Sequence, residues 1–508
     1  MVMLRRTAIT TVVCLLSLTS IVFVARLYRR DNPSASTWVP PFSAQRVQPC
    51  PDTLDWLLPL DLTYPIKYAR RDIIVKPASD AKRLTVTKLP APLFPDFQSI
   101  DLTDKANLRL EHCEDPLLLH VPEPPAGPVD ASHIIFGIST TIARLDDSIP
   151  SLLRWLPNTR AKLFVIAIED DDVPEESKDR YHPADPKATS DLQNRMHTLG
   201  LDVTIVPPLS RHHFFSQRYF SLVRVMYEHR QPTTQWISLI DDDTFFLSMP
   251  SLLETLSRFD PQQQFYVGAL SEDWWSVTRY GMMAFGGAGV FLSIALAEIV
   301  NSKYAVCQER SHTSAGDIRL RECISWYTRT KLTNLLDLHQ IDLHNDLSGI
   351  YESGRLPLSL HHWKGGGPDG KGYPLHTMHL VADICGDCFL QRWQFGNDML
   401  LTNGFSIAIY PGAGVKALDL DMVEETWDHP SKVEGSVNEN GVDHSLGPVR
   451  PRLELGKDKV QYRLLDSTLA NGSVRQWYSK AGVDGDHDSV LELVWMRAAE
   501  TTAAARER

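Results

Sequence analysis

The sequence predicts an α/β fold organised on a mostly parallel, doubly wound sheet. Two observations lead there. From His133 to Ile240, short apolar runs of strand length alternate with stretches of helical periodicity, the pattern of strand–helix units whose helices cover both faces of one sheet. The last run, with Ile237, Leu239 and Ile240, ends in three adjacent carboxylates, Asp241, Asp242 and Asp243, before Phe245 and Phe246 resume the apolar pattern. Open α/β sheets bind ligands in the crevice beyond the carboxyl ends of their strands. Three neighbouring acids between two buried segments need a compensating charge, and a hard divalent cation supplies it through oxygen ligands. A solvated turn is the other reading of an acidic triplet, and the immediate return of Phe245 and Phe246 argues against it.

The elements follow in order. Residues 8–25 are an uncharged apolar run of 18, with Arg5 and Arg6 before it and Arg26, Arg29 and Arg30 after. The run is at the short end for a bilayer span and long for the core of a cleaved signal peptide. Residues 1–30 are therefore expected to form a cytosolic tail and signal-anchor transmembrane helix. Residues 31–130 are rich in proline and weakly periodic, which predicts a stem, although Trp56-Leu57-Leu58 and Leu117-Leu118-Leu119 are apolar enough to dock. The catalytic domain is expected over 131–430. Strands are predicted at 134–138, 163–168, 203–206 and 236–240, and helices at 145–156, 191–199 and 219–227. The first strand-to-helix turn, Ser139-Thr140-Thr141-Ile142-Ala143-Arg144, has no glycine fingerprint, which argues against ordinary dinucleotide binding. Beyond Pro430, runs at 459–465, 474–478 and 490–496 around Asn471-Gly472 predict a small β-rich C-terminal extension over 431–508.

At 508 residues and 43% hydrophobic, the chain can bury a large core. The formal net charge of −12 argues against nucleic acid as a partner. Six of seven cysteines lie beyond the apolar run: Cys50, Cys113, Cys307, Cys323, Cys385 and Cys388. An even set fits disulfides in an oxidising lumen, with no pairing readable from the sequence. Cys385-x-x-Cys388 has no second such pair to complete a zinc site. Asn471-Gly472-Ser473 is the single N-glycosylation sequon. These features favour a single-pass membrane protein with a lumenal body.

An Asp-x-Asp pair at a strand end, after several strand–helix units, suits a metal that bridges two phosphate oxygens of a diphosphate leaving group. Glycosyl transfer from a sugar nucleotide needs that help. A phosphohydrolase would place its aspartates nearer the start of the fold. Trp274 and Trp275 follow Glu272-Asp273 and offer broad faces for sugar rings, or else pack in the core as neighbours on a strand. His361-His362 precedes Trp363-Lys364 and Gly365-Gly366-Gly367. An imidazole there suits a metal site begun by distant aspartates, and Lys364 suits a phosphate. Gly286-Gly287-Ala288-Gly289 permits close backbone approach to a ligand, or a tight turn into a helix at 293–301. Arg144 and Arg218 offset donor charge, with Thr140 beside Arg144 in the same turn. The second triplet, Asp170, Asp171 and Asp172, reads as a solvated loop.

Residues 236–246, Phe265-Tyr266-Val267-Gly268, Phe285-Gly286-Gly287-Ala288-Gly289-Val290-Phe291-Leu292-Ser293, Gly316-Asp317-Ile318-Arg319-Leu320 and Leu360-His361-His362-Trp363 are in order. In that order and spacing they resemble glycosyltransferase family 31, the fringe-like enzymes and their fungal relatives, from about residue 133 to 415. The resemblance implies a GT-A fold, an inverting mechanism, a nucleotide-sugar donor (usually UDP-linked), Mn2+, a glycan or glycoprotein acceptor, and a type II protein of the Golgi or ER. It implies metal ligation by Asp241, Asp243 and the second of two histidines, His362, with His361 as the alternative because the two are adjacent here. Donor contacts are expected from Asp241, Asp242, Thr140, Arg144, Gly287 and Lys364. Asp317 matches the catalytic aspartate, and its rival role is as a helix N-cap. Asp273 is the fallback base. A catalytically silent carbohydrate-binding relative, or a metal phosphohydrolase, are the competing functions.

Overall fold

In the computed structural model the described residues run from 53 to 498, without 61, 63–64, 104–107, 125–126, 171–179, 365–371, 413, 429–441, 444 and 483–485. The apolar run 8–25, Cys50, Asp171, Asp172 and Gly365-Gly366-Gly367 lie outside the described residues.

The fold is α/β. A seven-stranded sheet has the spatial order Leu332–Asn334, Tyr266–Gly268, Val290–Ser293, Trp236–Leu239, Ile134–Thr141, Lys162–Ile168 and Val203–Val206. Ile134–Thr141 pairs in parallel with both Lys162–Ile168 and Trp236–Leu239. Every residue of Trp236–Leu239 is buried, as expected of a strand covered on both faces. Helices Ile142–Leu152, Pro186–Thr198 and Phe215–Glu228 connect the parallel strands. Val290–Ser293 runs antiparallel to Trp236–Leu239, with Val290 opposite Leu239. That reversal carries Gly286-Gly287-Ala288-Gly289 to the same sheet edge as the acidic triplet.

A three-stranded sheet completes this edge. Phe245–Phe246 pairs antiparallel with Ser359–Leu360, which pairs in parallel with Leu338–His339. The chain leaving Leu360 is thus set beside the chain leaving His339, and both arrive next to Asp243.

The predicted stem is corrected over its described part. Ile66–Ala78 pairs in parallel with Ser489–Arg497 near the other end of the chain, from Lys67 opposite Ser489 to Val75 opposite Arg497. The same strand pairs with Gln98–Ile100 and Leu117–Pro122. Its side chains Ile66, Tyr68, Ala69, Ile73 and Val75 are buried, so this stretch is core and not a spacer. The proposed boundary at 430 also crosses a sheet. Arg392–Gln394, Met399–Thr402 and Ser406–Ile409 join Val460–Ala470, Ser473–Lys480 and Ser489–Arg497 in one ten-stranded sheet. The hairpin closes at Asn471-Gly472, both in the left-handed region with φ of 51° and 73°, as a two-residue type I′ loop requires. One hydrophobic core includes Ile73, Trp393 and Trp495 with Phe136, Trp236 and Phe246.

Charge also ties these elements. The Lys459 ammonium, 1% exposed, donates to the Glu352 carboxylate and lies 3.2 Å from that of Glu424. Ser406 Oγ donates to Glu352 at 2.5 Å. Among the described residues no helix is long and apolar enough to cross a membrane.

Candidate active site

A cavity of about 980 Å³ opens where these edges meet, lined among others by Thr140, Arg144, Asp241, Asp243, Asp317 and His361. The triplet divides its labour. Asp242 is buried and turned toward the neighbouring strand: Arg144 donates to it through Nε and Nη2, both at 2.6 Å, and the Thr140 hydroxyl donates to it as well. Continuing the register of Gly137 opposite Leu239 brings Thr140 level with Asp242, and Arg144 stands in the first turn of the helix capped by Thr141. The fork-on-carboxylate geometry is the strong form of the ion pair, and it holds the Arg144 pKa above its ordinary value. Thr140, Arg144 and Asp242 are therefore bonded to one another.

Asp241 and Asp243 face the cavity. His361 Nε2 lies 3.0 Å from Asp243 Oδ1 and 3.4 Å from Asp241 Oδ2, with its side chain 4% exposed. Burial opposes a charge on this imidazole, but hydrogen bonds and charge from the two carboxylates outweigh it and raise its pKa to about 10. Burial would raise Asp243, and His361 reverses that, lowering it to about 2. His361 Nδ1 is 3.2 Å from the Gln340 carbonyl, which only accepts, so Nδ1 carries one proton; with the pKa raised, Nε2 carries the second and donates to the carboxylates. Loss of that second proton turns the Nε2 lone pair on the two carboxylates. The donor types suit a divalent metal in place of that proton, with three donor atoms that must draw together from a spread wider than 4.8 Å.

His362, the ligand chosen from the resemblance, lines the same cavity. Its side chain is 49% exposed, with Nδ1 3.2 Å from Asp342 Oδ1. The strand ends at Leu360, and His362 turns left-handed with φ of 51°, which lays its ring against that of His361, centroids 3.8 Å apart, and sets its Nδ1 on Asp342 while His361 faces Asp243. Gly287 sits behind this ring: a Cβ there would lie 2.1 Å from His361 Cε1. Lys364 is exposed, reaches toward Ser148 Oγ at 3.4 Å, and is not part of the lining.

Asp317 enters from the start of helix Gly316–Tyr327, which the Cys307–Cys323 disulfide ties to helix Tyr304–Arg310. It is not the N-cap, a position held by Ala315. Its Oδ1 accepts from Ile318 N at 2.8 Å and its Oδ2 from Gly286 N at 3.3 Å. Burial pushes its carboxyl up to about 6, against those two hydrogen bonds. Gly316 is required because a Cβ would meet Tyr219 Cδ1 at 2.5 Å, where two helices pack. Asp273 is the N-cap of helix Trp274–Tyr280, accepting from Trp275 N and from Ser276 N and Oγ. With its oxygens so occupied, it is a poor base. Trp274 and Trp275 thus open a helix, not a strand, and both are exposed. Arg218 is buried in the lining, donating to the His213 carbonyl at 3.1 Å. Asp170 pairs with His182 outside the lining.

Sequence reasoning missed Gln340 and Asp342. Gln340 accepts from Ala288 N at 2.9 Å and so links His361 to the glycine turn, while Asp342 accepts from Ser271 Oγ at 2.6 Å. Neither sits in a recognisable motif, and only the parallel pairing of Leu338–His339 with Ser359–Leu360 brings them in. A separate cluster, Asp96, His112 and Glu114, has donor atoms within 4.8 Å of one another. There Arg71 Nη1, 3.5 Å from Glu114, already supplies a cation.

A family model described as a protein of unknown function, DUF604, matches residues 276–368, a span that includes Gly287, Asp317, His361 and His362. No curated protein matches the sequence. Among solved structures, the chain is similar to the apo glycosyltransferase GlyE of Streptococcus pneumoniae TIGR4, at 14% identity over 45% of this chain and 54% of that one, TM-score 0.28. It is similar to the mannosyltransferase PcManGT of Pyrobaculum calidifontis, in complex with GDP-Man and Mn2+, at 12% identity over 43% and 59%, TM-score 0.26. It is similar also to mouse xyloside xylosyltransferase 1, at 12% identity over 40% and 84%, TM-score 0.26. The chain spans about half the length of GlyE. TM-scores this low carry no argument, so the functional reading rests on the site itself.

Proposed function

We propose that this chain is a metal-dependent, inverting glycosyltransferase with a GT-A fold, related to family 31. In this reading it moves a sugar from a nucleotide donor, UDP-linked by that resemblance, to a hydroxyl of a glycan or glycoprotein. The observation that carries the reading is His361 Nε2 set between Asp241 and Asp243 in a cavity that also holds Asp317. Asp241, Asp243 and His361 would hold a divalent cation, Mn2+ by the resemblance, which would supply positive charge for the donor diphosphate. Asp242 does not ligate; with Thr140 it fixes Arg144 at the donor end. Asp317 takes the acceptor hydroxyl proton as the acceptor oxygen bonds to the anomeric carbon. The bond from that carbon to the diphosphate oxygen breaks, its electrons leave with the nucleoside diphosphate, and the configuration inverts.

The test is Mn2+-dependent nucleotide release from a panel of sugar nucleotides. Asp243→Ala and His361→Ala are expected to lose Mn2+-dependent donor binding, and His362→Ala to retain most of it. Gly287→Ala is expected to weaken Mn2+ roughly 10- to 100-fold by displacing the His361 ring. Unchanged Mn2+ dependence in Asp243→Ala would leave the triplet a loop.

The reading places the body in the Golgi or ER lumen behind a signal anchor at 8–25. It draws support from Asn471, exposed at its hairpin tip. Protease treatment of intact microsomes is expected to spare residues 31–508 and to leave Asn471 glycosylated; complete digestion would refute this topology.

A further inference from the structure

Among the described residues six aromatic side chains are exposed, and five of them, Phe214, Phe215, Trp274, Trp275 and Tyr280, fall on just two segments. Phe215, Trp275 and Tyr280 line the same cavity as Asp317. The two segments stand on either side of it. Helix Phe215–Glu228 meets Gly316 through Tyr219, and Val277 of helix Trp274–Tyr280 belongs to the apolar cluster on which Ile318 packs. Asp317 therefore lies between two aromatic walls, one headed by Phe215, 45% exposed, the other by Trp275, 38% exposed.

Exposed aromatic rings keep apolar faces in water, so their concentration at one cleft mouth asks for a ligand. These rings are also held in place. Arg180 stacks on Phe214 at 4.8 Å and Arg218 lies 6.0 Å from the Phe215 ring centre. Arg279 covers both Trp275 and Tyr280, at 5.2 and 5.8 Å. A guanidinium against four of these five rings fixes their orientation before any ligand arrives, which lowers the ordering cost of binding.

We propose that this rim is the acceptor subsite, and that it takes a neutral pyranoside ring. The ring's C–H face stacks on Trp275 and Phe215 while one hydroxyl reaches Asp317. The proposal rests on the glycosyltransferase reading above and narrows its acceptor. The cavity is lined by six aspartates against two arginines, Arg144, already paired to Asp242, and Arg218, so an anionic sugar meets net like charge even with Arg279 on the rim. A bare serine or threonine side chain has no flat C–H face for the walls to hold.

The test compares transfer to acceptor with transfer to water, using the full chain, Mn2+, and the sugar nucleotide that turns over. The acceptors are short neutral oligosaccharides, their uronic-acid counterparts, and an unglycosylated peptide rich in serine and threonine. The ratio of acceptor transfer to hydrolysis should be highest with the neutral oligosaccharides. It should fall roughly tenfold in Trp275→Ala and in Phe215→Ala, but not in Leu199→Ala, an exposed residue outside the lining. An unchanged ratio in both rim variants, or a preference for the peptide or the acidic sugars, overturns the proposal. If the parent protein releases no nucleotide with any donor, the glycosyltransferase reading is what fails. The subsite is then read by tryptophan fluorescence: neutral oligosaccharides should perturb the parent and not Trp275→Ala, and no perturbation of the parent refutes it.

Discussion

Asp317→Asn is expected to leave a folded protein that binds nucleotide and Mn2+ yet transfers sugar roughly 10²- to 10⁴-fold more slowly, the range a general base contributes. The amide oxygen still accepts from Ile318 N, so the helix start is preserved while the proton acceptor is lost. Two further readouts separate a base from a structural role. The first is pH. Asp317 must be ionised to act, and burial holds its carboxyl up at about 6. Transfer should therefore fall as pH drops through an acid limb at or below about 6, since a cation on Asp241 relieves part of the charge that raises Asp317. That limb should vanish in the Asn variant. The second readout is stability. A carboxyl whose folded pKa lies above its unfolded value stabilises the fold only when protonated, and loses that contribution as pH rises through the folded value. At pH 7 the ionised, desolvated Asp317 is a cost, so Asp317→Asn should melt higher than the parent, with the difference shrinking below the ordinary aspartate pKa. Near-normal transfer together with a lowered Tm would make Asp317 a helix-start residue instead.

Lys459→Met should destabilise the protein by about 3–5 kcal/mol, because removing one partner strands buried charge on the others. Both carboxylates lose Lys459; Glu424 keeps Arg450 at 2.7 Å, while Ser406 and Gln461 are left bonded to a Glu352 carboxylate that has lost its cation. Urea unfolding monitored at pH 7 measures the loss. Burial would raise Glu352, but Lys459 lowers it below its ordinary 4.5; that stability is present above the unfolded pKa and disappears as pH falls through the folded one. The charge on Lys459 is favoured correspondingly, so its share lasts until pH rises through a folded value above the ordinary lysine range. The gap between parent and Lys459→Met should accordingly narrow as pH falls below the ordinary carboxyl value of 4.5. Lys459→Met combined with Glu352→Gln should recover part of the loss, as one buried charge is then removed. A loss under about 1 kcal/mol would mean that this cluster is hydrated rather than buried.

Much of the fold was legible because its signals are local. Strand–helix alternation from 134 to 239 depends on residues next to one another in sequence, and the structure keeps each of those strands within a few residues. Asn471-Gly472 is likewise local chemistry, since both positions need positive φ. The acidic triplet was visible for the same reason: charge interrupting two apolar runs needs no knowledge of distant segments.

What the sequence alone determined, then, is the α/β core, the position of Asp241–Asp242–Asp243 at a strand end, and the candidacy of Asp317. The tertiary structure decided which member of each cluster faces the cavity. Asp242 turns to Arg144 and Asp243 to His361 because neighbouring strands are in register, and the left-handed backbone of His362 sets its Nδ1 on Asp342 while His361 faces Asp243. It also decided that residues 66–78 are sheet and not stem. Their partner strand lies more than four hundred positions away, and non-local pairing leaves no trace in a short window of sequence, where prolines and weak periodicity read as a spacer.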